Sequence, residues 1–142
     1  MRVVFGGGLG LRGGEAELVG ALTEVLNRLG HSVLHWGPAG SDGELYHLNS
    51  QRISECDLMA AFVDNLTFEL GADVQEAINA EKPVLCFTNG KVPVTSPVIV
   101  GAAQAMLVDL THYTDFDDLA DKLMSYLGFV SSRDLIPKVA NA

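Results

Sequence analysis

Apolar and polar positions follow two different periods along this chain, and both are plainest between Asp57 and Thr88. Leu58 to Val63 is an unbroken apolar run closed by Asp64-Asn65, which suits a strand covered on both faces of a parallel sheet. Val84 to Phe87 repeats that pattern. Between the two runs, Leu70, Val74, Ala77 and Ile78 recur at helical spacing, so one stripe packs on a sheet while Glu69, Asp73 and Glu76 share the opposite face. Lys82-Pro83 ends that helix. The stretch therefore reads as a βαβ unit. In open α/β sheets the ligand crevice lies beyond the carboxyl ends of the strands, which places the expected chemistry in the loop from Asp64 to Thr67 and the first helical turn after it.

The rest of the chain alternates in the same way. Arg2 to Phe5 is a short strand running into Gly6-Gly7-Gly8-Leu9-Gly10-Leu11-Arg12-Gly13-Gly14. A helix follows, with Ala16, Leu18, Val19, Leu22, Val25, Leu26 and Leu29 on its apolar face, and Gly30 stops it. His31 to Trp36 reads as a second strand, Gly37 to Gly43 as an irregular turn and Glu44 to Glu55 as a helix. Thr95-Ser96-Pro97 opens a short helical piece, with Ser96 placed to cap it and Pro97 at its first position. Met106 to Leu110 reads as a fifth strand, and Asp115 to Tyr126 as the last helix. From Phe129 onward there is a proline and little pattern.

Five strands alternating with helices predict an α/β fold: a doubly wound five-stranded parallel sheet in a flavodoxin-like (Rossmann-like) three-layer sandwich. Residues 1–128 are expected to form that α/β domain, and residues 129–142 a C-terminal tail reaching onto another subunit.

Composition narrows what this fold is for. With 142 residues, 48% of them hydrophobic and 19% charged, the chain suits one domain with a real core. A formal net charge of −9 argues against nucleic acid or an anionic membrane as partner. It leaves a nucleotide open, since backbone N–H groups hold phosphate with little side-chain charge. Cys56 and Cys86 lack metal-type spacing and flank buried strands, so they read as packing thiols in a reducing compartment. His47 has no second ligand at metal spacing. Neither a metal nor a cofactor is expected. Without a signal sequence or a long apolar run, the expectation is a cytoplasmic protein.

The glycine-rich turn between the first strand and helix brings backbone N–H groups and a helix N-terminus toward an anion, or is simply a tight turn. It is not the dinucleotide fingerprint, because Gly6-x-Gly8-x-x-Leu11 fails at its third glycine. The loop after the second strand leaves the same sheet edge. Trp36, His35 and Tyr46 are therefore placed to stack on a base, with core packing as the other reading of Trp36.

In this order the motifs resemble the nucleoside 2-deoxyribosyltransferase family, nearest its branch of (2'-deoxy)nucleoside 5'-monophosphate N-glycosidases. The family's opening F-x-G-S-I-R-G-G resembles Phe5-Gly6-Gly7-Gly8-Leu9 followed, after two extra residues, by Arg12-Gly13-Gly14. Its L-G-H-x-V is matched by Leu29-Gly30-His31-Ser32-Val33, and its A-D-V-V-V-A strand resembles Cys56-Asp57-Leu58-Met59-Ala60-Ala61. Its K-P-V-L-C is matched by Lys82-Pro83-Val84-Leu85-Cys86, and its S-x-x-I-x-G-A by Ser96-Pro97-Val98-Ile99-Val100-Gly101-Ala102. The likeness spans most of residues 2–127. The turn before the helix of the βαβ unit, P-S-x-G-x-G-Y-E-L-G in the family, is diverged here.

The resemblance implies a carboxylate nucleophile attacking an anomeric carbon, in the manner of a retaining glycosidase. Aligned without gaps, the family's nucleophilic glutamate falls on Asp73, its turn serine on Thr67 and its assisting aspartate on Asn49. Matching Glu69-Leu70-Gly71 to the family's E-L-G makes Glu69 the nucleophile instead. Asn49 does not titrate, so its role is confined to hydrogen bonding the ribose or base. The phosphate would lie on Gly7, Gly8, Leu9, Arg12, Gly13 and Thr67, with Ser96 lent by the partner of a homodimer. The base and sugar would lie against Phe5, Trp36 and Tyr46.

The function so implied is hydrolysis of the N-glycosidic bond of a nucleoside 5'-monophosphate to free base and (deoxy)ribose 5-phosphate. The alternatives are a deoxyribosyltransferase using free nucleosides and a catalytically silent nucleotide-binding protein. The run Gly6-Gly7-Gly8-Leu9-Gly10-Leu11 also resembles part of the cytokinin-riboside-monophosphate phosphoribohydrolases, whose P-G-G-x-G-T-x-x-E motif is absent.

Overall fold

The computed structural model describes residues 1–7, 13–34 and 41–135. Five strands and five helices alternate: β1 (Arg2–Phe5), α1 (Gly13–Arg28), β2 (Ser32–Val33), α2 (Asp42–Glu55), β3 (Leu58–Phe62), α3 (Phe68–Asn79), β4 (Val84–Thr88), α4 (Pro97–Gln104), β5 (Asp109–His112) and α5 (Phe116–Leu135). The strands form one sheet in the order β2-β1-β3-β4-β5, and every pairing is parallel. This is the predicted doubly wound sheet.

Period-two alternation divides each central strand between two cores. Val4, Met59, Ala61, Val84 and Cys86 face one side, where Ile53 of α2, Leu70, Val74 and Ala77 of α3 and Ile99 of α4 cover them. Val3, Phe5, Leu58, Ala60, Phe62, Leu85 and Phe87 face the other side, under Leu22 and Leu26 of α1 and Leu119, Leu123 and Leu127 of α5. Strands with both faces buried are apolar throughout, which is why β3 and β4 read as unbroken runs. On the α1/α5 side, Phe62 packs at 5.7 Å from Phe87 and edge-on to Tyr113 at 6.2 Å between centroids.

The clearest departures from the pattern are at three elements. The fifth strand lies at Asp109–His112 and not at Met106–Leu110. Met106 instead takes a left-handed φ of 60° in the turn that closes α4, where Leu107 N–H bonds to the Ala102 carbonyl at 2.9 Å. As an edge strand, β5 carries no demand for apolar residues on both faces. α5 runs on through Leu135, because Leu127 and Val130 continue the stripe of Leu119 and Leu123 and are equally buried. Residues 129–135 therefore extend that helix. Within the described residues β2 is confined to Ser32–Val33, although Leu34 N–H still bonds the Val3 carbonyl at 2.8 Å.

Candidate functional site

β1 ends at Phe5, and the ladder carries one residue further through a 2.8 Å bond from Gly6 N–H to the Ala60 carbonyl. The backbone then turns left-handed at Gly7, with φ +68°. A Cβ there would lie 3.1 Å from the Cβ of Leu70, so the turn lies directly against α3. Only glycine meets both conditions without strain. The turn aims Gly7 N–H at Asp73, whose Oδ2 accepts it at 2.8 Å.

Asp73 does not share a solvent face with Glu69, as its helical position suggested. It is 4% exposed, and its Oδ1 accepts a 2.7 Å bond from Asn49 Nδ2 on α2. One carboxylate thus joins β1, α2 and α3 at the carboxyl end of the sheet. Burial raises the pKa of Asp73, the bonds from Asn49 and Gly7 oppose that rise, and the nearby charges of Glu76 and Glu69 add to it. Glu69, one turn earlier, is exposed.

Both acids line a cavity of about 300 Å³ between α2 and α3, together with Asp42, Leu45, Tyr46 and Asn49 of α2 and Phe68, Ala72 and Glu76 of α3. Tyr46 is 69% exposed and Phe68 87% exposed. Sequence reasoning found Glu69, Asp73, Asn49 and Tyr46 but missed Phe68. Its signal is an apolar residue directly after the cap of α3 and out of register with the buried Leu70, Val74 and Ala77.

The other predicted residues are placed differently. Thr67 caps α3, its Oγ1 accepting from Leu70 N–H at 3.2 Å. Ser96 holds the capping position of α4, but its hydroxyl makes no capping bond. Gly13 opens α1. Phe5 is not brought to the cavity: it is 4% exposed on the α1/α5 side of the sheet, stacked on Phe62 at 6.4 Å. The reason is strand alternation, which sends Val4 toward α2 and α3 and Phe5 away from them. Gly8, Leu9, Arg12, His35 and Trp36 lie outside the described residues.

Asp64 sits further along the same sheet edge as a tie between loops. It accepts from Thr88 Oγ1 at 2.6 Å and from Asn89 N–H at 2.8 Å. Burial, with the charge of Asp64, raises the pKa of Glu15 in the first turn of α1. Cys56 and Cys86 are buried free thiols, and burial pushes them up to about 11 and about 12 respectively, which keeps them protonated. Among the described residues no group of three His, Cys, Asp or Glu side chains is placed to hold a metal ion, and no helix is long and apolar enough to cross a membrane.

No protein-family model matches the chain, and neither does any curated protein. Solved structures do match in fold. A Clostridium botulinum CMP N-glycosidase superposes with a TM-score of 0.69 at 20% identity, over 87% of this chain and 98% of that one. A 2-deoxyribosyltransferase from Bacillus psychrosaccharolyticus gives 0.62 at 15% identity, over 84% of this chain and 90% of that one. A conserved protein from Enterococcus faecalis V583 gives 0.62 at 11% identity, over 89% and 98%. These likenesses place the chain in a common α/β architecture with all three.

Proposed function

We propose that this protein is a hydrolase of the N-glycosidic bond of nucleoside 5'-monophosphates, a member of the nucleoside 2-deoxyribosyltransferase family in the wider sense. The observation that carries the reading is the Gly7–Asp73–Asn49 constellation. It sets a buried carboxylate against the glycine turn, with a second acid, Glu69, on the same cavity wall. The fold shared with a CMP N-glycosidase and a 2-deoxyribosyltransferase supports it.

Two carboxyl groups in unlike surroundings suit two roles in glycoside cleavage. Asp73, whose pKa burial raises, is the acid assigned to give a proton to the departing base nitrogen. Glu69, open to solvent, attacks the anomeric carbon as the C–N bond breaks and its electron pair leaves with the base. The glycosyl ester on Glu69 is then opened by water, and Asp73 takes the water proton. Asn49 holds Asp73 in position, and the phosphate is anchored at the glycine turn, remote from the reacting carbon.

The engagement of both Asp73 oxygens favours a second reading, a nucleotide-binding protein without turnover, in which this carboxylate serves only to tie β1 to the helices. A base-release assay over nucleoside 5'-monophosphates and free nucleosides, run on folded protein, separates the readings. Release from the monophosphates supports hydrolysis. Transfer of deoxyribose from a free nucleoside to an added base, with release of the first base, identifies the transferase. Binding with no release of any base leaves the silent binder.

A further inference from the structure

β5 ends the sheet, and its residues Asp109–His112 include neither the proline nor the lysine that often blunts an exposed edge. Tyr113 N–H reaches the Thr88 carbonyl at 3.0 Å and Thr111 stands opposite Phe87, so the odd-numbered residues turn their backbone groups toward β4. Leu110 and His112 therefore turn theirs outward. The Lys122 ammonium donates to the His112 carbonyl and covers that end of the edge. Leu110 presents both an N–H and a carbonyl outward, with no strand beyond it among the described residues.

The side chains near this edge are unusually apolar for a surface. Leu110 is exposed, and so are Met106 and Leu107 in the turn that leads into β5, Met106 at 91%. Leu110 stands beside Cys86 and shares its side of the sheet. Asp109 and Thr111 share the side of Leu85 and Phe87, where Asp109 accepts a hydrogen bond from the Tyr126 hydroxyl. A groove of about 460 Å³ runs there between β5 and α5.

A second copy of the same strand meets these features together. A two-fold axis normal to the sheet sets two copies of β5 antiparallel and keeps each face on its own side, so only residues of the same face oppose each other. Centred on Leu110, the two leucines exchange both outward backbone bonds and pack on one another, and Asp109 lies opposite Thr111 of the second copy, carboxylate against hydroxyl. Centred on Asp109, the pairing would set two carboxylates face to face. Centred on Thr111, it would draw on the His112 carbonyl that Lys122 already holds. A four-residue strand alone does not supply the roughly 800 Å² per partner of a stable interface, so Met106 and Leu107 belong to it too.

We infer that β5 is a dimer-forming edge: it pairs antiparallel with β5 of a second copy across a two-fold axis at Leu110, joining two five-stranded sheets into one. The cavity between α2 and α3 borders helices packed on β1, β3 and β4, so this pairing leaves it open and does not depend on the nucleotide reading.

Sedimentation equilibrium and cross-linking of the full chain test it. The wild type should reach the dimer mass as its concentration rises to about 100 µM. Each copy carries a formal charge of −9, so added salt should tighten the association by screening repulsion. Leu110→Lys and, separately, Met106→Lys should each raise the dissociation constant by about tenfold or more, with circular dichroism unchanged. Met106 touches little of the fold, so its variant remains informative even where Leu110→Lys unfolds. Leu110→Cys should form a disulfide-linked dimer in air, because Cα atoms of a hydrogen-bonded pair lie about 5.5 Å apart, within disulfide range, and the native Cys56 and Cys86 are buried. Thr111→Cys, offset by two residues from its own counterpart, should not. A monomer throughout the concentration range, a dimer that neither lysine variant weakens, or cross-linking at Thr111→Cys in place of Leu110→Cys overturns the inference.

Discussion

Gly7 N–H donates a 2.8 Å hydrogen bond to Oδ2 of Asp73, joining the first strand's exit to the second turn of α3 across most of the fold's first half. The contact needs the left-handed backbone at Gly7 and the absence of a side chain facing Leu70. Asn49 holds the other oxygen of the same carboxylate, so the acid cannot rotate away from the turn without breaking two bonds.

Gly7→Ala should therefore destabilise the fold by about 1–3 kcal/mol, since an alanine at positive φ is strained and its Cβ presses on Leu70. Urea unfolding measures this. Gly30 is also left-handed, at φ +85°, but nothing lies near its missing Cβ, so Gly30→Ala should carry the backbone cost alone and be the milder of the two. Equal losses would show that the approach of Leu70 contributes nothing.

The caps of α3 and α4 make a second contrast. Thr67→Ala removes a hydroxyl that accepts from Leu70 N–H and should cost about 1 kcal/mol. Ser96→Ala removes one that caps nothing and should stay within about 0.5 kcal/mol. If Ser96 instead serves a phosphate, its replacement lowers nucleotide affinity while thermal stability is unchanged. A stability loss at Ser96 matching that at Thr67 would refute the distinction.

What could be read from the chain, and what could not, follows from the range of the forces involved. β3, α3 and β4 were legible because burial on both faces of a parallel strand and one apolar stripe on a helix write local periods into the sequence. β5 was not, because an edge strand with exposed residues carries no such period, and the apolar Met106-Leu107 nearby belongs to a turn. In α5 the signal was present in Leu127 and Val130, but it was obscured by Gly128 between them and by the polar run from Ser131 to Asp134 after them. At the site, Glu69, Asp73, Asn49 and Tyr46 were found, whereas the fate of Asp73 was not. Its burial comes from Gly7 and Asn49, and no period in α3 encodes a partner on β1 or α2. Phe5 shows the opposite failure: a motif position suggested contact with the base, while strand alternation sends its ring to the far side of the sheet.

The raised pKa of Asp73 gives a signed dependence of stability on pH. Between the ordinary aspartate value of 3.8 and the raised folded value, the folded state binds the Asp73 proton and the unfolded state has released it. Stability contributed by this residue is therefore highest below 3.8, falls as pH rises through that window and is level above it. The fall is about 1.4 kcal/mol for each unit by which the pKa is raised. Subtracting the stability of Asp73→Asn from that of the wild type at each pH isolates this contribution from the other acids. A difference that grows with pH would mean that the hydrogen bonds from Gly7 and Asn49 outweigh burial.

The division of labour between the two acids predicts different kinetic signatures. Glu69→Gln should lower base release by about 10³-fold or more at every pH, because the attacking oxygen is lost, and should leave stability within about 0.5 kcal/mol since the side chain is exposed. Asp73→Asn should lower the rate by about 10²–10⁴-fold, the range for a positioned proton donor. It should also abolish a limb of the pH–rate profile. In the wild type, activity falls as pH rises through the Asp73 pKa and the donor proton is lost; the variant has no proton to lose there, and its residual rate is flat across the same interval. Base release from substrates whose base leaves without protonation should be nearly indifferent to Asp73→Asn and still depend on Glu69. If Asp73→Asn instead suppresses those substrates as strongly as the others, and Glu69→Gln retains activity, the roles are exchanged and Asp73 is the nucleophile.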